Sequence, residues 1–172
     1  MSASQPFDQA EFAEWHKAQQ QQVADYLRKL QVFTTDITGE WLWIVPQRAM
    51  LGRVWPKHGE RPKLWVITGI VPTDHVDSGG AKTCREAGRY FALKWQMEAA
   101  RLEKGTGADP AAAQPQHSVD WKNVGGNISG RAEWLYGLVD DDRHWTAEGL
   151  PLFRIDYEAA ESSAADITAT WA

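Results

Sequence analysis

Hydrophobic residues near the start of the chain recur every three or four positions, which is the spacing of an amphipathic α-helix. Asp8 is placed to cap the first turn with Glu11 three residues later, and Phe7 and Phe12 occupy the positions of a hydrophobic staple. These signals predict a helix from residue 8 to about residue 30. The predicted apolar stripe consists of Phe12, Trp15, Val23, Tyr26, Leu27 and Leu30.

This first helix has two interpretations. The glutamines at 19–22 fall on its wetter faces, and His16 lies beside the stripe, where we expect a surface residue. A helix laid across a sheet is the favoured interpretation, because an amphipathic stripe normally packs on a core. A partner-binding helix, in the form of a coiled-coil contact, is the alternative.

Three nearly continuous apolar segments follow, at residues 41–45, 50–55 and 64–71. The links between them are short and rich in turn residues, which favours antiparallel neighbours over crossover helices. We therefore predict a β-meander. The third segment is apolar at almost every position, so we place it centrally, with both faces covered or with one face under helices and the other under loops. Gly69 within it indicates a bulge or the close approach of another backbone.

A second helical pattern extends over about residues 81–103. It starts near the turn at 78–80, and Thr83 with Glu86 offers an alternative capping box one turn later. We interpret Cys84 as a small core residue rather than a nucleophile, although a helix start lowers the pKa of a thiol. The predicted buried face consists of Cys84, Ala87, Tyr90 or Phe91, Trp95, Ala99 and Leu102.

The last third of the chain contains a third helical pattern and a short strand. Residues 105–118 predict a linker, and the helical period over 121–139 is interrupted by Gly125, Gly126 and Gly130. Residues 151–156 predict a strand at a sheet edge, and residues 158–172 a flexible C-terminal tail. Together these patterns predict an α+β fold, with a three- or four-stranded mainly antiparallel sheet packed by two long helices and one interrupted helix.

Composition places the chain among ordinary globular domains. It has 172 residues, of which 43% are hydrophobic and 24% charged, and its one cysteine excludes an internal disulfide. We predict a single domain over residues 1–157. The sequence shows no secretory signal and no apolar run of the ~20 residues that span a bilayer, so we expect a cytoplasmic protein without a membrane segment.

Charge and tryptophan content narrow the classes of partner. The net charge of -5 and the scattered basic residues argue against nucleic-acid binding, which needs clustered Lys and Arg. An acidic surface suits a basic protein partner, for example a basic toxin, through complementary steering. We expect most of the ten tryptophans to supply core area, with a surplus available for binding.

The segment after the third apolar run carries the densest candidate chemistry. Thr73, Asp74, His75 and Asp77 lie in a predicted loop between a strand and a helix, where binding side chains tend to sit. Two carboxylates flank an imidazole, a combination that orients a general base or ligates a metal. The favoured interpretation is structural, with the aspartates capping turns or the next helix. We predict no metal site, no catalytic residue and no cofactor.

Two segments resemble the central signature of a family of short bacterial proteins of unknown function. One is the pattern W-V-I-x-G-x-x-P-T-D at residues 65–74, and the other is the helical segment 85–96 with its aromatic residues and a W-x-x-x-A element. The N-terminal helix and the tryptophan-rich strands also fit. Ile70 stands where members of that family often carry an acidic residue. The resemblance implies a compact bacterial cytoplasmic domain and transfers no catalytic residue.

Two functional hypotheses follow from the small size, the acidic surface and the missing catalytic motifs. The first, which we favour, is a protein-binding or inhibitory protein, for example an immunity protein that neutralises a bacterial toxin, with Thr73, Asp74, His75 and Asp77 as binding residues. The alternative is a small hydrolase or transferase in which His75 is the base, Asp74 or Asp77 orients it, and Thr73 or Cys84 lies nearby. Small-ligand binding and a purely structural role complete the alternatives.

Overall fold

The computed structural model describes residues 9–33, 36–58, 63–104, 121–151 and 155–156. The described part contains three α-helices and five strands. In chain order the elements are α1 Gln9–Lys29, β1 Ile37–Val45, β2 Ala49–Pro56, β3 Leu64–Gly69, β4 Asp74–Asp77, α2 Cys84–Glu103, α3 Trp121–Asp140 and β5 Ile155–Asp156. Short 3-10 turns at Ser78–Gly80 and Asp142–His144 precede α2 and follow α3.

The strands form one antiparallel sheet in the order β4-β3-β2-β1-β5. Four strands have four to nine residues, and β5 is a two-residue strand at the edge beside β1. The predicted α+β class with an antiparallel meander is therefore confirmed. One local prediction is wrong: residues 74–77, expected in a loop, form the edge strand β4, because the chain reverses after β3 and pairs with it.

The helices cover the two faces of the sheet separately. Val66 of β3 packs in a core cluster with residues of α1, whereas its neighbours Trp65 and Ile67 pack in a second cluster with α2 and α3. This alternation follows from the period of two along a strand. Both faces of β3 are thus covered, as predicted. A β-bulge between Trp41 and Trp43 shifts the register, and these two indoles lie in opposite clusters.

Gly69 ends β3 two residues earlier than the apolar pattern predicts. Its φ is +132°, a conformation that residues with a Cβ rarely adopt, and a Cβ there would collide with the backbone carbonyl of Arg48. The close approach of another backbone, one of the two predictions for this glycine, is confirmed.

The start of α2 is fixed by the alternative capping box. The Thr83 hydroxyl accepts the backbone N–H of Glu86 at 3.2 Å, and the Glu86 carboxylate accepts the backbone N–H of Thr83 at 3.3 Å. The helix therefore begins at Cys84 rather than at 81. Phe91, not Tyr90, belongs to its buried face, which consists of Cys84, Ala87, Gly88, Phe91, Ala92, Trp95, Ala99 and Leu102.

α3 runs without a break over Trp121–Asp140, so the predicted interruption at the glycines is wrong. Ala132, Leu135 and Val139 of α3 are fully buried against α2 and the sheet. At Gly88 the two helices approach so closely that an added Cβ would lie 2.7 Å from a Val139 methyl. Packing of this kind outweighs the ~1 kcal/mol that each glycine costs a helix.

His16 is only 2% exposed, so the expectation of a surface residue is wrong. Its ring lies between Phe12 and Trp41, at centroid distances of 5.8 Å and 6.3 Å. Because it follows Phe12 by four positions, it occupies the same inner face of α1. Burial lowers the pKa of His16 to about 4.

The predicted core role of the tryptophans is confirmed for five of them, which are buried: Trp41, Trp43, Trp65, Trp95 and Trp145. The Asp8 cap, the linker at 105–118 and the tail at 158–172 lie outside the described residues. The domain boundary at 157 stays a prediction. In the part of the chain that the structure describes, no helix combines the length and apolarity that a membrane crossing requires.

Candidate functional site

The predicted binding residues lie at the β4 edge of the sheet, between α1 and α2. Asp74 pairs with Ile67 in the β3–β4 ladder and its side chain faces α2, whereas His75 pairs with Val66 and faces α1. Successive strand residues point to opposite faces. The two side chains therefore leave β4 toward opposite faces of the sheet, but both reach the Tyr26 hydroxyl at its edge.

Asp74 joins the edge strand to α2. Its Oδ2 accepts the indole N–H of Trp95 at 2.9 Å, and its Oδ1 accepts Lys94 Nζ at 2.8 Å. Oδ1 also accepts the backbone N–H of His75 at 2.8 Å and lies 3.4 Å from the Tyr26 hydroxyl. Only 14% of the side chain is exposed. These contacts hold the carboxylate in one position, which is a structural role.

His75 pairs with a tyrosine of α1 rather than with a carboxylate. The Tyr26 hydroxyl lies 3.1 Å from His75 Nδ1, and either group can donate in this hydrogen bond. Burial lowers the pKa of His75, and the nearby Asp74 opposes that shift. Burial and Asp74 together raise the pKa of Tyr26 to about 12. At neutral pH the pair is therefore a neutral imidazole and a neutral phenol.

Thr73 connects the β3–β4 turn to α1 through a second set of hydrogen bonds. Its Oγ1 accepts Gln22 Nε2 at 2.6 Å and lies 3.0 Å from Thr68 Oγ1. The buried Thr68 hydroxyl donates to Gln19 Oε1 at 2.9 Å. Sequence reasoning missed these two glutamines. The signal that could have found them is the run of four consecutive glutamines, which puts amide side chains on the sheet side of the helix as well as on its outer side.

Asp77 has a separate role at the other end of β4. Its Oδ1 accepts the backbone N–H of Gly79 at 2.8 Å and so caps the 3-10 turn before α2. The structure thus brings Thr73, Asp74 and His75 together with Tyr26 and leaves Asp77 as a cap. We call the group formed by Thr73, Asp74, His75, Tyr26, Lys94 and Trp95 the edge site.

A shallow depression of about 580 Å³ adjoins the edge site on the outer side of α1. It is open to solvent, and we call it the α1 depression. Thr73 and Tyr26 belong to both regions, so the hydrogen bonds of the edge site also fix one wall of the depression. Its lining residues are Ala18, Gln21, Gln22, Asp25, Tyr26, Lys29 and Thr73.

Cys84, the alternative nucleophile, is 2% exposed and lies in the core at the start of α2. Burial raises the pKa of its thiol, so the thiolate that a nucleophile requires is strongly disfavoured. Its predicted core role is confirmed. Among the described residues no group of three or more His, Cys, Asp and Glu side chains could hold a metal ion.

A family model with the description "Domain of unknown function (DUF4826)" matches residues 9–145, which include α1, the first four strands, α2 and α3. The searches of curated proteins and of solved structures found no match.

Proposed function

This chain belongs to that family of unknown function, and because its description names no activity, we propose from the site alone that the protein acts by binding another protein. The specific form that we propose is a bacterial immunity protein, which neutralises a toxin by stoichiometric binding in the cytoplasm. The contact surface is the α1 depression, which includes Thr73, together with the adjoining His75.

The α1 depression carries this proposal. Its shallow, open shape suits protruding side chains of a partner protein better than a small molecule, which normally binds in a pocket that encloses most of its surface. Its walls are held in place before binding, because Thr73 is hydrogen-bonded to Gln22 and Tyr26 to His75. A preorganised surface loses less conformational entropy on association.

The charge of the chain supports a basic partner. A net charge of -5 attracts a positively charged protein over a distance and raises its association rate. Asp25 and Lys29 on the rim of the depression supply one acidic and one basic contact, which would fix the orientation of the partner.

The hydrolase or transferase alternative needs His75 and a carboxylate in one pocket. In the structure Asp74 is held by Lys94 and Trp95 and is linked to His75 through the Tyr26 hydroxyl, and Asp77 caps a turn. The ring contact of His75 is Tyr26. This geometry supports the binding function better than a general-base mechanism.

The experiment is affinity purification of the tagged full-length chain from its native host, with and without Ala18→Arg. Ala18 is exposed on α1 and lines the depression, so an arginine fills it without entering the core. The matched control is Ala10→Arg, the same change at an exposed position eight residues earlier in the same helix. We expect one stoichiometric basic partner with the unmodified chain and with the control, and at least a tenfold loss with Ala18→Arg.

Activity assays of the captured partner then test whether the chain is an immunity protein. For an immunity protein, we expect the toxic activity of the partner to disappear at a molar ratio of one and to return with Ala18→Arg. His75→Ala should weaken the complex but still neutralise the toxin at a saturating concentration, because the imidazole contributes only part of the contact surface and performs no chemistry. Catalytic turnover of a substrate that is abolished by His75→Ala would contradict the binding function.

A further inference from the structure

α2 carries a second apolar stripe on the side opposite its buried face. Tyr90, Leu93 and Met97 are 43%, 55% and 62% exposed, respectively, whereas large apolar side chains normally avoid water when they can cluster. The three residues are separated by three and four positions, so they form one continuous line along the outer surface of the helix. The sheet already occupies the other side of α2.

This outer stripe extends into a heptad seam over the length of the helix. Exposed residues recur at alternating spacings of four and three, the pattern of the a and d positions in a coiled coil. The residues on the opposite side of α2 form its buried face and belong to the core of the molecule. The seam consists of Glu86, Tyr90, Leu93, Met97, Ala100 and Lys104.

We propose that this seam binds a second copy of the chain, with the two α2 helices packed antiparallel. A two-fold axis opposite Trp95 places Leu93 of one copy against Met97 of the other. The same axis places Tyr90 against Ala100, a large residue against a small one. Such a contact is closed and self-complementary, as homodimer interfaces usually are.

Charge along the seam favours this pairing and its direction. Glu86 lies at the start of the seam and Lys104 at its end, so the antiparallel arrangement brings each into contact with its opposite charge. A parallel pair would instead oppose like charges at both ends, which is unfavourable.

The remaining basic residues beside the seam do not repel the second copy strongly, because each is paired within its own chain. Lys94 lies 2.8 Å from Asp74, and Arg101 lies 3.1 Å from Glu98. The dimer also leaves α1 accessible, since α1 packs on the other face of the sheet. A dimer therefore presents two α1 depressions.

The first test measures molar mass in solution by light scattering at about 100 µM protein. The unmodified chain should have about twice the chain mass of 19.3 kDa, and Leu93→Glu should be a monomer. Leu30→Glu is the matched control, since Leu30 is 50% exposed at the end of α1, and it should stay dimeric. Because both substitutions are at exposed positions, circular dichroism should show the same helix content in all three proteins.

The second test measures the register. Leu93→Cys and Met97→Cys are prepared separately with tags of different size, and the native Cys84 is buried and does not react. Under mild oxidation, the mixture should give predominantly the disulfide between position 93 of one chain and position 97 of the other. Cross-links of each variant with itself, at the expense of the mixed product, would overturn the antiparallel register.

A monomeric unmodified chain at 100 µM would overturn the proposal. A dimer that survives Leu93→Glu would overturn it as well, because the interface would then lie elsewhere.

Discussion

Helices α1 and α2 cover opposite faces of the same sheet with apolar inner stripes, but they present different outer faces to solvent. Around its depression, α1 exposes polar side chains such as Gln21, Gln22 and Asp25, whereas α2 exposes Tyr90, Leu93 and Met97. The two helices therefore differ in what they offer a partner. α1 offers a depression with polar side chains around it, which we propose for another protein, and α2 offers an apolar line, which we propose for a second copy.

The largest effects should come from the inner stripes, where the two helices are alike. Leu27→Ala on α1 and Phe91→Ala on α2 should lower the free energy of unfolding by about 2–5 kcal/mol each, because both residues are fully buried. The exposed counterparts Leu30→Ala and Leu93→Ala should each change it by less than about 0.5 kcal/mol. Urea unfolding below the dimer dissociation constant checks this. Equal losses of unfolding free energy at inner and outer positions would contradict this difference in burial.

The buried His16 on the α1 side of the sheet should make the free energy of unfolding depend on pH. Its pKa is about 4 in the folded chain and about 6.5 when unfolded, so between these values only the unfolded chain binds the proton. Stability should therefore fall as the pH drops from 6.5 to 4, by up to about 3 kcal/mol in total. His16→Leu should remove that part of the dependence, measured by urea unfolding at pH 7 and pH 4.5. An unchanged dependence would contradict a buried neutral imidazole.

Substitution of Asp74 tests how much its contacts with α2 stabilise the edge strand β4. Asp74→Ala should lower the free energy of unfolding by about 1–3 kcal/mol, since it removes the acceptor of the buried Trp95 indole and the ion pair with Lys94. Asp77→Ala is the control and should cost less, because it removes only the cap of an exposed turn. Thermal unfolding checks both. A larger effect at Asp77 would show that the turn, and not the carboxylate, holds the strand.

Substitution of Tyr26 tests how much the contact with α1 stabilises the same strand, and we expect this contact to contribute less than that of Asp74 with α2. Tyr26→Phe removes the hydroxyl that contacts His75 Nδ1 and should lower the free energy of unfolding by about 1 kcal/mol. Tyr136→Phe, at a tyrosine that is 47% exposed, should have almost no effect. The ratio of the Asp74 and Tyr26 effects gives the relative strength of the two attachments.

Local signals in the sequence predicted most of the fold. The Thr83–Glu86 box defines a helix start within four residues, and the apolar segments before it pair with their neighbours through short turns. The wrong predictions depended on distant contacts. Residues 74–77 became a strand because β3 offered a free edge, and α3 stayed continuous because Val139 packs on Gly88.

The candidate site was predictable in place but not in chemistry. The segment with Thr73, Asp74 and His75 does lie between rigid elements, as its position after a buried strand indicates. Its contacts come from Tyr26, which is 49 residues from His75 in sequence, and from Trp95, which is 21 residues from Asp74. The period of two, which directs the Asp74 and His75 side chains to opposite faces, follows only from the pairing of β4 with β3.

Native mass spectrometry of the affinity-purified complex tests in one experiment whether α1 binds a partner while α2 binds a second copy. We predict two copies of the chain with two copies of one partner. Ala18→Arg should leave the two chains together without the partner, and Leu93→Glu should leave one chain with one partner. Either of two results would contradict this assignment of the two helices. One is a single chain without any partner, and the other is loss of the partner on Leu93→Glu but not on Ala18→Arg.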